Sequence, residues 1–142
     1  MELITENRYR MMEVLKEIEP RKIISFSAIN LWQPECLFHL CDRQLSLIMN
    51  TKQFRNNPFD IPEKWEVRLN NKVHSKLAIG LKGFIIGSWN FSDNSSNNMH
   101  ESILKVDYET APLLQTELAN YFEALWERST PIHKEGMVAP II

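Results

Sequence analysis

The stretch that most constrains this chain runs from Val73 to Phe91. It reads Val73-His74-Ser75-Lys76-Leu77-Ala78-Ile79-Gly80-Leu81-Lys82-Gly83-Phe84-Ile85-Ile86-Gly87-Ser88-Trp89-Asn90-Phe91. Two apolar runs flank Leu81-Lys82-Gly83, and short apolar runs bounded by glycine read as strands. The spacing predicts strands over 73–80 and 84–91 joined by a three-residue loop. Gly83 then takes the loop position that needs a positive φ. In that register Lys76 faces Ser88 and His74 faces Asn90. His74, Lys76, Ser88 and Asn90 therefore share one face at the open end of the hairpin. Leu77, Ile79, Ile85 and Trp89 are expected on the opposite face, in a core. A slip of one residue would scatter the quartet.

The remaining elements follow from periodicity. Leu3, Ile4, Met11, Met12, Val14, Leu15 and Ile18 recur at helical spacing, so 3–18 reads as an amphipathic helix ended by Pro20. Strands are expected over 23–29, 44–49, 65–69 and 101–107, and a second amphipathic helix over 113–128. Gln33 to Leu40 reads as a short helix with Pro34 in its first turn. Residues 50–63 read as a loop, because Asn56-Asn57-Pro58 and Pro62 punctuate them. Ser92 to His100 reads as a polar loop. Strands with flanking helices imply an α/β or α+β fold, a mixed sheet covered by helices. At 142 residues and 44% hydrophobic side chains the chain suits one domain, 1–142, with its core over about 3–130 and a tail from 131.

Charge is unevenly spread. Residues 1–42 hold five Lys/Arg and seven Asp/Glu, 43–84 hold eight and three, and 85–142 hold three and eight. A basic middle third in a chain of net charge -2 suits a phosphate-bearing substrate held at one place, or a solvated surface balanced by acidic neighbours. No apolar run approaches the roughly 20 residues of a membrane span. Met1 to Glu6 lacks the basic and apolar regions of a secretory signal. Two cysteines, Cys36 and Cys41, make no disulfide framework. A cytoplasmic location is the expectation. Cys36, His39 and Cys41 lack a second ligand pair and fit no standard zinc pattern, so no metal site is expected.

The quartet has the parts for phosphoryl transfer. An imidazole can act as nucleophile or acid. A lysine two residues away supplies fixed positive charge for a phosphate oxygen, and Ser88 and Asn90 offer neutral hydrogen bonds. A carboxylate is needed to orient the imidazole, and Glu101 is the candidate. Each residue alone is unremarkable, and their joint spacing carries the reading.

His74-x-Lys76, an apolar strand, and then Gly87-Ser88-Trp89-Asn90 resemble the HKD motif of the phospholipase D superfamily, His-x-Lys-x4-Asp followed by Gly-Ser-x-Asn. The opening helix, the strand at 23–29 and the closing helix with Trp126 are similar to the superfamily's single-domain bacterial nucleases. The family's Asp falls on Leu81. That absence resembles the metal-independent nuclease domains of certain restriction endonucleases, which keep His, Lys, Asn and a downstream Glu, matched here by His74, Lys76, Asn90 and Glu101.

The resemblance implies a phospholipase D-like fold and a metal-independent phosphodiesterase acting on nucleic acid, with DNA favoured over RNA. No cofactor is implied, and no membrane partner. Two motifs build one active site in that superfamily, so a single-motif chain implies a homodimer with His74 at the interface, within a larger complex in some settings. One His74 would form a phosphohistidine and the other would protonate the leaving oxygen. Lys76 and Asn90 would hold the phosphate, Ser88 would assist and Glu101 would orient His74. Trp65 or Trp89 could stack on bases if exposed. The alternatives are a binding or dimerisation module without turnover and a lipid phosphodiesterase, the latter disfavoured by the lack of a basic amphipathic helix.

Overall fold

The computed structural model describes residues 1–25, 40–56, 60–89 and 100–132. Their elements are β1 (Glu2–Thr5), α1 (Arg8–Glu17), β2 (Pro20–Ser25), β3 (Leu45–Asn50), α2 (Thr51–Asn56), β4 (Trp65–Asn70), β5 (Leu77–Gly80), β6 (Gly83–Gly87), β7 (Ser102–Asp107), α3 (Pro112–Glu127) and β8 (Thr130–Pro131). The helix expected over 33–40 lies mostly outside the described residues, as do 26–29, 90–99 and the tail from 133.

Alternating side chains drive both layers of packing. Ile23, Leu47, Ala78, Ile85 and Ile103 face one side of the sheet, where Met11, Val14 and Leu15 of α1 and Ile18 at its C-cap cover them. Ile24, Ile48, Leu77, Ile79, Phe84 and Val106 face the other side, under Phe122 of α3 with Leu118, Leu125 and Trp126 beside it. Adjacent residues of one strand thus enter different cores, which the period of two requires of a sheet covered on both faces. The result is an α/β fold with an eight-stranded mixed sheet in the order β1-β7-β6-β5-β2-β3-β4-β8. β2, β3 and β4 run parallel, and β5 turns antiparallel to β2.

Three expectations need correction. Residues 2–5 form a strand on β7 and do not open the helix. Leu3 is exposed and Ile4 buried, as alternation demands, and Glu6 breaks the chain with φ 49°. The Asn7 side chain accepts a hydrogen bond from the Arg10 N–H at 3.1 Å and so begins α1, a capping signal that the apolar periodicity masked. Residues 51–56 form α2 where a loop was expected. The Asn50 side chain accepts from the Gln53 N–H at 3.2 Å and Phe54 is fully buried, which together fix this short turn of helix.

The third correction concerns the hairpin. Ile79 pairs with Phe84, Ala78 with Ile85 and Leu77 with Ile86, one residue away from the expected register. The connection is the two-residue Leu81-Lys82, and Gly83 belongs to β6, paired with Asp107 of β7. None of the described glycines has a positive φ. Their role is close approach. A Cβ on Gly83 would lie 2.3 Å from the Val106 carbonyl oxygen, and one on Gly80 would lie 1.9 Å from that of Ile18. The α1–β2 turn sits on Gly80, with the Leu81 and Lys82 N–H groups donating to the Glu19 and Ile18 carbonyls. The shift also sends Leu77 and Ile79 to the α3 side and Ile85 and Trp89 to the α1 side, so the four do not share a face.

Gly80→Ala is therefore expected to destabilise the fold by about 3 kcal/mol, the upper end for overpacking. Urea unfolding measures it, and a loss below about 1 kcal/mol would show that the α1–β2 turn yields to a methyl group.

Candidate active site

Strand direction gathers the polar groups at one edge of the sheet. The C-terminal ends of parallel β2, β3 and β4 lie beside the start of β5, since Ile24 pairs with Leu77. The end of β6 and the start of β7 meet at the same edge, where Gly87 pairs with Ile103. Clefts beyond the carboxyl ends of parallel strands are where open α/β sheets place ligands. His74 and Lys76 occupy the segment that enters β5 at this edge. Leu81 sits at the other end of β5, about 13 Å away at the usual rise per residue. The position that departs from the HKD pattern is thus remote from the imidazole.

The Lys76 Nζ lies 3.4 Å from His74 Nδ1. His74 is exposed and Lys76 half-buried. Burial holds the Lys76 ammonium below the usual lysine range, and the negative charge of Glu101 opposes that shift. Lys76 thus adjoins His74 in space and lies within electrostatic reach of Glu101.

Lys76 is opposite Gly87, whose N–H donates to the Lys76 carbonyl at 3.4 Å, and not opposite Ser88. Ser88 instead joins β7. Its N–H donates to the Ser102 carbonyl at 3.0 Å and its hydroxyl accepts from the Ser102 N–H at 3.0 Å. Asn90 lies outside the described residues. Glu101 is half-buried, and its carbonyl accepts from the Glu6 N–H at 2.9 Å. His100 pairs with the Glu6 carboxylate, and that hydrogen bond raises the His100 pKa. Trp65 and Trp89 are buried, with the Trp65 indole N–H donating to the Leu40 carbonyl at 2.8 Å. Neither ring is placed to stack on a base.

Sequence reasoning passed over the residues that shape the His74 segment. Asn50, only 7% exposed, donates from its amide to the Val73 carbonyl at 3.1 Å while its oxygen caps α2. The Asn70 carbonyl side-chain oxygen accepts from the Lys72 N–H at 2.9 Å, and its amide donates to Ser129 Oγ at 3.3 Å. Both asparagines end an apolar strand. Asn at such a place reads as a cap or turn former, which was the available signal.

No family model matches this sequence, and no curated protein matches it. Solved structures do. NucT from Helicobacter pylori superposes with a TM-score of 0.69 over 92% of this chain and 98% of its own, at 18% identity. Nuc from Salmonella typhimurium, a phospholipase D family member, gives 0.69 over 93% and 98%, at 13% identity. TrmBL2, an archaeal chromatin protein with a novel mode of DNA binding, gives 0.60 at 14% identity over 92% of this chain and 52% of its own. The fold of this chain is the phospholipase D-like fold, shared over nearly the full length of both NucT and Nuc.

Asn50→Asp retains the cap acceptor and removes the donor to Val73. It is expected to cost about 1–3 kcal/mol and to broaden the NMR signals of residues 73–76 while leaving those of α2 sharp. Unchanged signals at 73–76 would deny Asn50 its positioning role.

Proposed function

We propose that this chain is a phosphodiesterase of nucleic acids that works through His74. The contact between His74 and Lys76 at the sheet edge, within a fold shared with NucT and Nuc, carries this reading. About half of TrmBL2, a chromatin protein that binds DNA, shares this fold, which supports a polynucleotide substrate.

In the proposed reaction His74 of one protomer attacks phosphorus and forms an N–P bond as the P–O bond to the leaving group breaks. His74 of a second copy gives its proton to the leaving oxygen. That second imidazole then takes a proton from water, which attacks phosphorus, breaks the N–P bond and restores both rings. Lys76 from each copy neutralises charge on the non-bridging oxygens. Asn90 and Ser88 supply further donors, and Glu101 fixes the His74 and Lys76 pair. A two-fold homodimer follows from this chemistry, because one chain supplies one motif. Ile86, 43% exposed at the same end of β6, offers an apolar contact for the second copy. DNA is the favoured substrate, and two lysines do the electrostatic work that a metal ion would otherwise do.

Cleavage of single-stranded DNA and of bis(p-nitrophenyl) phosphate is expected to continue in EDTA. It should fall by about 10³-fold or more in His74→Ala, as for loss of a nucleophile. Sedimentation of the same preparation should give a dimer. Cleavage lost on chelation, with His74→Ala as active as the parent, would remove the mechanism.

Lys76 gives a second outcome. A lysine held below its ordinary range loses its charge early as pH rises, so kcat/KM should decline on the alkaline side below the ordinary lysine pKa of 10.5. Glu101→Gln withdraws a charge that favours the ammonium. The alkaline limb should then move to lower pH, and an unmoved limb would separate Glu101 from Lys76.

A further inference from the structure

β1 stops pairing with β7 at Thr5, which lies opposite Ser102. Glu6 follows with φ 49°, a backbone conformation that side chains other than glycine seldom adopt. Such a conformation persists where the surrounding contacts over-determine it. Here those contacts go to one place. The Glu6 N–H donates to the Glu101 carbonyl at 2.9 Å, and the Glu6 carboxylate pairs with Nδ1 of His100. One turn residue thus grips both residues that lead into β7. Glu101 is the carboxylate that favours the charged form of Lys76, so the grip falls on the candidate site itself. Among the described residues Glu6 is the charged group that acts on the His100 ring. On the His100 side Glu101 is the next charged residue along the chain, and on the Glu6 side Arg8 at the start of α1 is the next cation. Both members of the pair stand in solvent, the His100 side chain at 96% exposure. A pair so placed adds little to stability, yet it titrates freely with the bulk pH.

We infer that Glu6 is a positioning residue for Glu101, and that its hold is set by the charge on His100. The inference rests on the phosphodiesterase reading of the His74 edge and adds to it a control by pH. With the imidazolium in place, Glu6 is anchored at both its N–H and its carboxylate. The entry to β7 is then fixed, and the Glu101 carboxylate stays within reach of Lys76. Without the ring charge the N–H bond to Glu101 is the remaining tie from Glu6, and the turn is free to relax from its unusual φ. Pairing with Glu6 raises the His100 pKa above the ordinary 6.5. The double hold is therefore complete below that value and is lost as pH rises through the raised one. The two imidazoles act in opposite senses, since His74 must lose a proton to attack phosphorus and His100 must keep one to hold Glu6.

The test is exchange of the Glu6 amide proton with water, followed by NMR on the full chain across the pH range where a histidine changes charge. After correction for the intrinsic pH dependence, protection should fall about threefold as His100 deprotonates, within what an exposed ion pair supplies. His100→Gln should show the lower protection at every pH. His100→Lys carries a permanent charge, so it should restore the higher protection and abolish its pH dependence. Glu109→Gln removes a carboxylate beside Leu81 and Lys82, at the other edge of the sheet, and should behave as the parent. Activity gives the second readout. The ratio of kcat/KM in His100→Lys to that in the parent cancels the titrations of His74 and Lys76, and it should rise about threefold through the His100 titration. Protection that ignores that titration, or that His100→Gln leaves at the parent's value, would overturn the inference. So would a flat ratio in a parent that cleaves. Protection that follows His100 in a chain that cleaves nothing would keep the hold on Glu101 and remove the phosphodiesterase reading.

Discussion

The pairing of Ala78 with Ile85, flanked by Leu77 and Ile79 on the opposite face, fixes where everything else can lie. β5 is an inner strand with helices over both faces, so each of its residues has only one acceptable side. Sliding β6 by a single residue would turn Ile85 from the α1 core toward α3 and Phe84 the other way. Gly80 and Gly83 add a steric lock, because their missing side chains admit the Ile18 and Val106 carbonyls. Tyr108 closes the same corner, donating from its hydroxyl to the Gly80 carbonyl at 2.9 Å. The His74–Lys76 pair depends on this lock, since it sits one step beyond Leu77.

The site edge shows how a polar cluster is held without a deep pocket. Asn50 and Asn70 end neighbouring parallel strands and reach sideways to the chain entering β5, Asn50 donating from its amide and Asn70 accepting on its side-chain oxygen. A buried backbone carbonyl must find a partner, and Asn50 supplies it at Val73, while Asn70 holds the exposed Lys72 N–H one residue earlier. On the other flank Glu6 and His100 fasten the chain that leads into Glu101. Half-burial then acts on Lys76 electrostatically. Removing water disfavours its charge, and the Glu101 carboxylate restores part of what is lost.

Leu81 illustrates how position within a fold qualifies a motif. A linear pattern counts residues, and five residues after Lys76 the chain has already crossed the sheet. Leu81 is exposed in the turn, with its N–H on the Glu19 carbonyl, at the edge away from the imidazole. The likeness to NucT and Nuc at under 20% identity fits this picture, since the fold tolerates change wherever the alternation and the close approaches are kept.

Local signals in the sequence were enough for most strands and for the closing helix. Alternation at Trp65, Val67 and Leu69, the apolar run Leu45 to Met49, and the amphipathic spacing of Leu114, Leu118, Phe122 and Leu125 each point one way. The grouping of His74 with Lys76 was also local, two residues apart on one extended segment. What the sequence could not hold was the register and the far side of each contact. Gly83 could serve a positive-φ turn or a crowded strand with equal economy, and only the arrival of β7 decided between them. Leu3 and Ile4 fit a helix or a strand until β7 offered a partner. Asn50 became a support for the His74 segment, and Glu6 a partner of His100, only when strands distant along the chain came together. Hydrophobic periodicity is written residue by residue, whereas pairing partners and shared clefts exist only once the sheet has closed.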